Sequence, residues 1–90
     1  MAKPPEAISQ AIEDYAKAIY SLALERGGLV QNGEVASRLG VTPATATAML
    51  KRLDSLGLAE YQPYKGIALT PAGERVALEV HGAVEHQVRE

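Results

Sequence analysis

The residues from Thr42 to Arg52 are those whose types and spacing suggest chemistry. At helical rotation Ala46, Met49, Leu50 and Leu53 fall on one side. The opposite side carries Ala44, Ala48 and Lys51, with Thr45 and Arg52 on one edge and Thr47 on the other. Such a face is small and hydroxylated near its start and basic farther along, which suits the major groove of DNA. Small side chains permit close approach, Thr hydroxyls bond phosphates or bases, and Thr methyls pack on thymine methyls. The helix N-terminus favours a phosphate, and Lys51 and Arg52 can reach the backbone. The same residue types also make an ordinary solvated helix face, so the elements around them decide. Lys65 is a second DNA candidate, for a phosphate or minor-groove contact, or a solvated turn lysine. His81 and Glu85 stand four residues apart and could share a metal ion or simply line a solvated helix face. No Ser/His/Asp set, phosphate loop or carboxylate pair suggests catalysis, and no enzymatic activity is expected.

The elements that must position these residues follow from periodicity and punctuation. Residues 1–5 read as a Pro-containing lead-in. Ile8, Ile12, Tyr15, Ile19 and Leu22 recur in steps of four and three, which predicts a helix over residues 6–26 closed by Gly27-Gly28. Leu29-Val30 is a short apolar joint. Asn32 is the expected N-cap of a second helix, with Glu34 in its first turn and Gly40 at its end. Thr42-Pro43 reads as an N-cap followed by Pro at the first helical position, opening a third helix that Gly57 closes. Residues 32–56 thus form a helix-turn-helix, with Ala36 small enough for a close crossing.

Leu58–Tyr61 and Ile67–Leu69 predict two strands around the turn-forming Gln62-Pro63-Tyr64-Lys65-Gly66, a wing over residues 58–69. Tyr61 and Tyr64 could stack on DNA sugars or cover the hairpin base, and the covering role is the expected one. Thr70-Pro71 repeats the cap pattern and opens a last helix over 71–90, with a Val76, Val80, Val84, Val88 stripe and Gly82 inside it. The predicted class is mostly α with a small β-hairpin, a single winged helix-turn-helix domain in the order α-α-α-β-β-α.

Composition fits that class. Ninety residues, 47% hydrophobic and 22% charged, suit one globular domain. A chain of this size buries about 60–65% of its unfolded surface. The absence of Cys excludes disulfides and thiolate metal sites. No apolar run reaches membrane-span length, and the start lacks a signal-peptide stretch, so a cytoplasmic protein without membrane contact is expected. The net charge of −2 argues against a highly basic coat protein. Residues 31–66 are nevertheless the only net-positive third, carrying Arg38, Lys51, Arg52 and Lys65 against Glu34, Asp54 and Glu60.

Three stretches carry a family resemblance: Ile12-Glu13-Asp14-Tyr15-Ala16-Lys17-Ala18-Ile19-Tyr20, then Glu34 to Pro43 followed by Thr47 to Leu53, then Tyr64-Lys65-Gly66 with Leu69-Thr70-Pro71-Ala72-Gly73. Over about residues 12–75 the chain resembles the N-terminal DNA-binding domain of the diphtheria-toxin-repressor family of iron- or manganese-dependent regulators. The resemblance implies a repressor domain that binds palindromic operators in double-stranded DNA as a homodimer. It matches Thr42, Ala44, Thr45, Thr47 and Ala48 to recognition-helix positions that face DNA. It also matches Asp14 to the first-helix metal ligand of the manganese-responsive branch. That branch carries a second carboxylate where this chain has Lys17, and its fourth-helix His falls on Val84.

The reading is a DNA-binding transcriptional regulator of the repressor type, with a degenerate or incomplete metal site. Its expected DNA residues are Thr42, Pro43, Ala44, Thr45, Thr47, Ala48, Lys51, Arg52 and Lys65. Its metal candidates are Asp14, His81 and Glu85, for manganese or iron by resemblance. The alternatives are a winged-helix protein-interaction scaffold that never touches DNA, favoured by the net charge, and a small metal sensor.

Overall fold

The computed structural model describes residues 3–78, with side chains from residue 10 onward. Helix α1 spans Lys3–Arg26, α2 spans Asn32–Leu39 and α3 spans Pro43–Ser55. Strands β1 (Ala59–Gln62) and β2 (Gly66–Leu69) follow, and a fourth helix, α4, occupies residues 71–78. The order α-α-α-β-β-α is that of a winged helix.

Each element is explained by its local sequence. The lead-in expected over residues 1–5 is corrected, because α1 already includes Lys3, Pro4 and Pro5. Proline is tolerated there because first-turn N–H groups have no intrahelical acceptor in any case. The expected cap at Asn32 is also corrected: the N-cap of α2 is Gln31, whose N–H donates to the Glu34 carboxylate at 3.0 Å. Glu34 stands three residues on, the spacing at which an acidic side chain folds back over a helix start. Gly40 closes α2 in the left-handed region at φ 71°. Thr42 caps α3, its hydroxyl accepting from the Thr45 N–H at 3.1 Å, with Pro43 behind it. Thr70 repeats this at α4, accepting from the Gly73 N–H at 3.1 Å and donating to the Gly57 carbonyl at 2.8 Å.

The predicted apolar stripes converge on one core. Ile12, Tyr15, Ile19 and Leu22 of α1 pack with Val35 and Ala36 of α2, with Ala46, Leu50 and Leu53 of α3, and with Val30, Ala59 and Ile67. Burial pushes the Tyr15 phenol above its ordinary pKa, because the phenolate is the form that loses solvation. In α4 Val76 is half-buried and Ala77 is fully buried, so the deepest residue lies one place beyond the expected stripe. Val80, Val84 and Val88 lie outside the described residues.

The wing is antiparallel, pairing Ala59 with Leu69 and Gln62 with Gly66. Its strands run one residue later at β1 and start one earlier at β2 than the alternation predicted. Two four-residue strands are marginal alone. Val30, expected as a mere joint, supports them by exchanging bonds with Ile67 at 3.0 and 2.8 Å. Gly66 makes that approach possible: a Cβ there would lie 2.7 Å from the Val30 carbonyl oxygen. Asp54, on the last turn of α3, accepts from the Tyr61 N–H at 2.8 Å. The wing is therefore fixed to both the α1–α2 joint and α3.

Candidate nucleic-acid interface

Thr42, Pro43, Ala44, Thr45, Ala48, Lys51 and Arg52 are all exposed, and Thr47 is half-buried. Ala46, Leu50 and Leu53 are buried behind them, as the helical rotation requires. The exposed face is thus continuous and is backed by the core.

The three threonines are not equivalent. The Thr42 hydroxyl donates to Thr45 Oγ1 at 2.9 Å while accepting from the Thr45 N–H, so capping occupies it. Thr45 Oγ1 accepts that bond. Thr47 Oγ1 accepts from Asn32 Nδ2 at 2.6 Å. Each of the last two oxygens has one lone pair used, and neither hydroxyl hydrogen has a partner among the described residues. Both hydroxyls therefore remain available as donors.

The basic side chains also divide. Arg26 pairs with Glu34, and Arg38 pairs with Glu25 at 3.2 Å, so these cations are partly neutralised. Lys51, Arg52 and Lys65 pair with no carboxylate among the described residues. They lie on α3 and the wing, the two elements that flank a cleft of about 330 Å³. Gln31, Asn32, Thr47, Lys51, Tyr61 and Tyr64 are among its walls.

The wing tip departs from expectation. Gln62 to Lys65 forms a turn closed by the Lys65 N–H on the Gln62 carbonyl at 2.9 Å. Pro63 is its second residue and Tyr64 its third, with φ 71°. A positive φ at that position, after proline, is the type II pattern that favours glycine. Tyr64 was expected to cover the hairpin base; instead its relative exposure is 102%. Turn geometry lifts the ring away from the sheet, and only Tyr61 packs against the core. A bulky aromatic residue held in the left-handed region and fully solvated is a functional candidate. The signal available in the sequence was the Pro-Tyr pair itself, which puts Tyr64 at the turn position least able to pack inward.

Asp14 is exposed, with Gln10 Nε2 donating to its carboxylate at 3.4 Å. It shares a surface depression with Lys17, Ser21 and Arg38. Among the described residues no three His, Cys, Asp or Glu side chains converge on a point that could hold a metal ion. One carboxylate beside two cationic side chains does not fit a divalent cation, which needs several anionic or neutral donors. His81 and Glu85 lie outside the described residues.

Comparison with known proteins places residues 7–67 in the family described as iron dependent repressor, N-terminal DNA binding domain. The chain is 42% identical over 81 residues to the transcriptional regulator MntR of Salmonella typhimurium, covering 90% of this chain and 50% of that protein. It is 41% identical over 66 residues to an uncharacterised HTH-type transcriptional regulator of Methanocaldococcus jannaschii, covering 73% of this chain and 53% of that one. The HTH-type transcriptional regulator MntR of Listeria welshimeri is 36% identical over 78 residues, covering 83% and 54%. The chain thus spans about half the length of the curated relatives it matches. Among the described residues no helix is long and apolar enough to cross a membrane.

Proposed function

The chain belongs to the iron-dependent repressor family, matching its N-terminal DNA-binding domain, and from that premise we propose that it reads DNA sequence for a cytoplasmic transcriptional repressor. Repression on this reading is occupancy of a promoter, and no covalent chemistry is required. The observation that carries the proposal is the division of the basic residues. Lys51, Arg52 and Lys65 on α3 and the wing pair with no carboxylate among the described residues, while Arg26 and Arg38 on α1 and α2 are paired within the fold.

The roles follow from the geometry. Ala44 and Ala48 let α3 approach the base edges, and Thr45 and Thr47 present hydroxyl donors to acceptors in the major groove. Thr42 and Pro43 hold the helix start, whose free N–H groups suit a phosphate. Lys51, Arg52 and Lys65 take backbone phosphates and set orientation. Tyr64 lies against the sugar-phosphate edge beside the wing.

A single module buries too little DNA surface for tight specific binding. The functional unit on this reading is a homodimer whose recognition helices lie about 34 Å apart, one turn of B-DNA. The described residues supply no metal site for Asp14 to complete, so no step is assigned to a metal. In the structure the protein-interaction alternative is favoured by an apolar depression whose lining includes Tyr20, Ala23, Leu29 and Leu69.

Electrophoretic mobility shifts with selected duplexes, with and without a divalent cation, test the proposal. The expected result is saturable binding to an enriched two-fold sequence by a species that sediments as a dimer. Absence of any enriched duplex in either condition would leave the scaffold reading standing.

A further inference from the structure

Two consecutive amide side chains at the start of α2 reach different walls of the same cleft. Asn32 Nδ2 bonds Thr47 Oγ1 of α3 at 2.6 Å, and Gln31 Nε2 bonds the Lys65 backbone carbonyl in the wing turn at 2.8 Å. Neither residue belongs to the exposed α3 face or to the wing. We propose that Gln31 and Asn32 are positioning residues for DNA recognition, Asn32 fixing the direction in which Thr47 reads a base and Gln31 fixing the height of the wing. This inference rests on the DNA-binding reading above.

The Asn32 arm is an argument about one hydroxyl. A helical threonine divides between two rotamers, one of which turns its oxygen back onto the carbonyl of the preceding turn. The Asn32 amide holds Thr47 Oγ1 at the cleft and fills one of its lone pairs. The single hydroxyl hydrogen is then left free to donate to a group in the groove. Thr47 so held can donate to an acceptor in the major groove, such as purine N7, guanine O6 or thymine O4.

The Gln31 arm concerns the wing tip. The hairpin is fixed at its base by the Val30–Ile67 bridge and at its start by Asp54. At the tip, Gln31 holds the Lys65 backbone while leaving the ammonium group free, and the same turn carries Tyr64. Loss of this bond frees the tip without unseating the strands, so the wing retains its charge and loses its position.

The test uses variants that keep the fold. Asn32 is the first residue of α2, where alanine favours the helix. Gln31→Ser keeps a strong N-cap and the Glu34 bond to its N–H, but cannot reach Lys65. Thermal unfolding of both variants should stay within a few degrees of the parent chain. Duplexes are selected from a random pool with the parent chain, and affinities are then measured on single-base variants of the selected duplex.

Asn32→Ala should lower discrimination about fivefold at one base pair, the position that Thr47→Val also relaxes, and the double variant should relax it no further. Gln31→Ser should weaken binding to every duplex about threefold to tenfold, with a shallower salt dependence and unchanged base preference. If Asn32→Ala keeps the parent preference, or changes a position that Thr47→Val does not, the Asn32 arm is wrong while DNA reading stands. If Gln31→Ser binds all duplexes as tightly as the parent, the Gln31 arm is wrong. A parent chain that enriches no duplex overturns the DNA reading itself and both arms with it.

Discussion

Replacing Lys51 by glutamine removes one unpaired cation from the later part of the α3 face without adding a repulsive charge. Lys51 is exposed, lines the cleft between α3 and the wing, and pairs with no carboxylate among the described residues. Its charge is therefore available to a phosphate at no cost in internal ion pairs. One phosphate contact contributes about 0.9 to the slope of log affinity against log salt. Over a fourfold rise in salt, from about 50 to 200 mM, the parent chain should lose about 3.5-fold more affinity than Lys51→Gln. The deficit should be the same on specific and unrelated duplexes, because phosphates carry no sequence. Arg38→Gln is the control: Arg38 already pairs with Glu25 on α1, so its loss should leave the slope unchanged. Its effect on stability should stay below about 1 kcal/mol, as for other surface pairs. Fluorescence anisotropy at four salt concentrations gives both slopes. An unchanged slope for Lys51→Gln, or an equal change for Arg38→Gln, would refute the division of the basic residues into free and internally paired.

Tyr64→Gly relieves a side chain held at φ 71° and should stabilise the fold by about 1 kcal/mol while weakening DNA binding, a pairing that thermal unfolding and anisotropy together detect. Gly73→Ala should destabilise by about 3 kcal/mol in denaturant titrations, because its Cβ would stand 1.8 Å from the Leu58 carbonyl oxygen, a backbone atom that cannot rotate away. Asp14→Ala, and chelation of divalent metal, should each leave the DNA affinity of this chain within about twofold of the parent, the scale of an energetically neutral change. Stoichiometric manganese uptake by calorimetry, coupled to a gain in DNA affinity that Asp14→Ala abolishes, would contradict this.

What the sequence revealed of this fold was chiefly local. The Ile12–Leu22 stripe, the Thr42-Pro43 and Thr70-Pro71 starts, and the Gly40 and Gly57 stops each act within a turn or two of chain, so neighbouring residues specify them. Gln31 as a cap was less visible, since asparagine is the better N-cap by preference and Asn32 stood beside it. The three-residue spacing from Gln31 to Glu34 carried the signal. Contacts between distant segments carried none. Asn32 meets Thr47 across 15 residues and Gln31 meets Lys65 across 34, and no periodicity foretells either. Val30 looked like a joint because one bridging residue has no alternation to display. The exposed face of α3 was legible from rotation alone, whereas the unequal engagement of its threonine hydroxyls depends on partners such as Asn32 that rotation does not place.

The central claim, that α3 and the wing form the DNA-facing surface, is tested most directly by following backbone amide resonances during titration with the selected duplex. The expected result is saturable shifts concentrated at residues 42–52 and 64–66, with small changes along Tyr20, Ala23, Leu29 and Leu69. Shifts centred on that apolar depression, with the Thr42–Arg52 run unmoved, would contradict it.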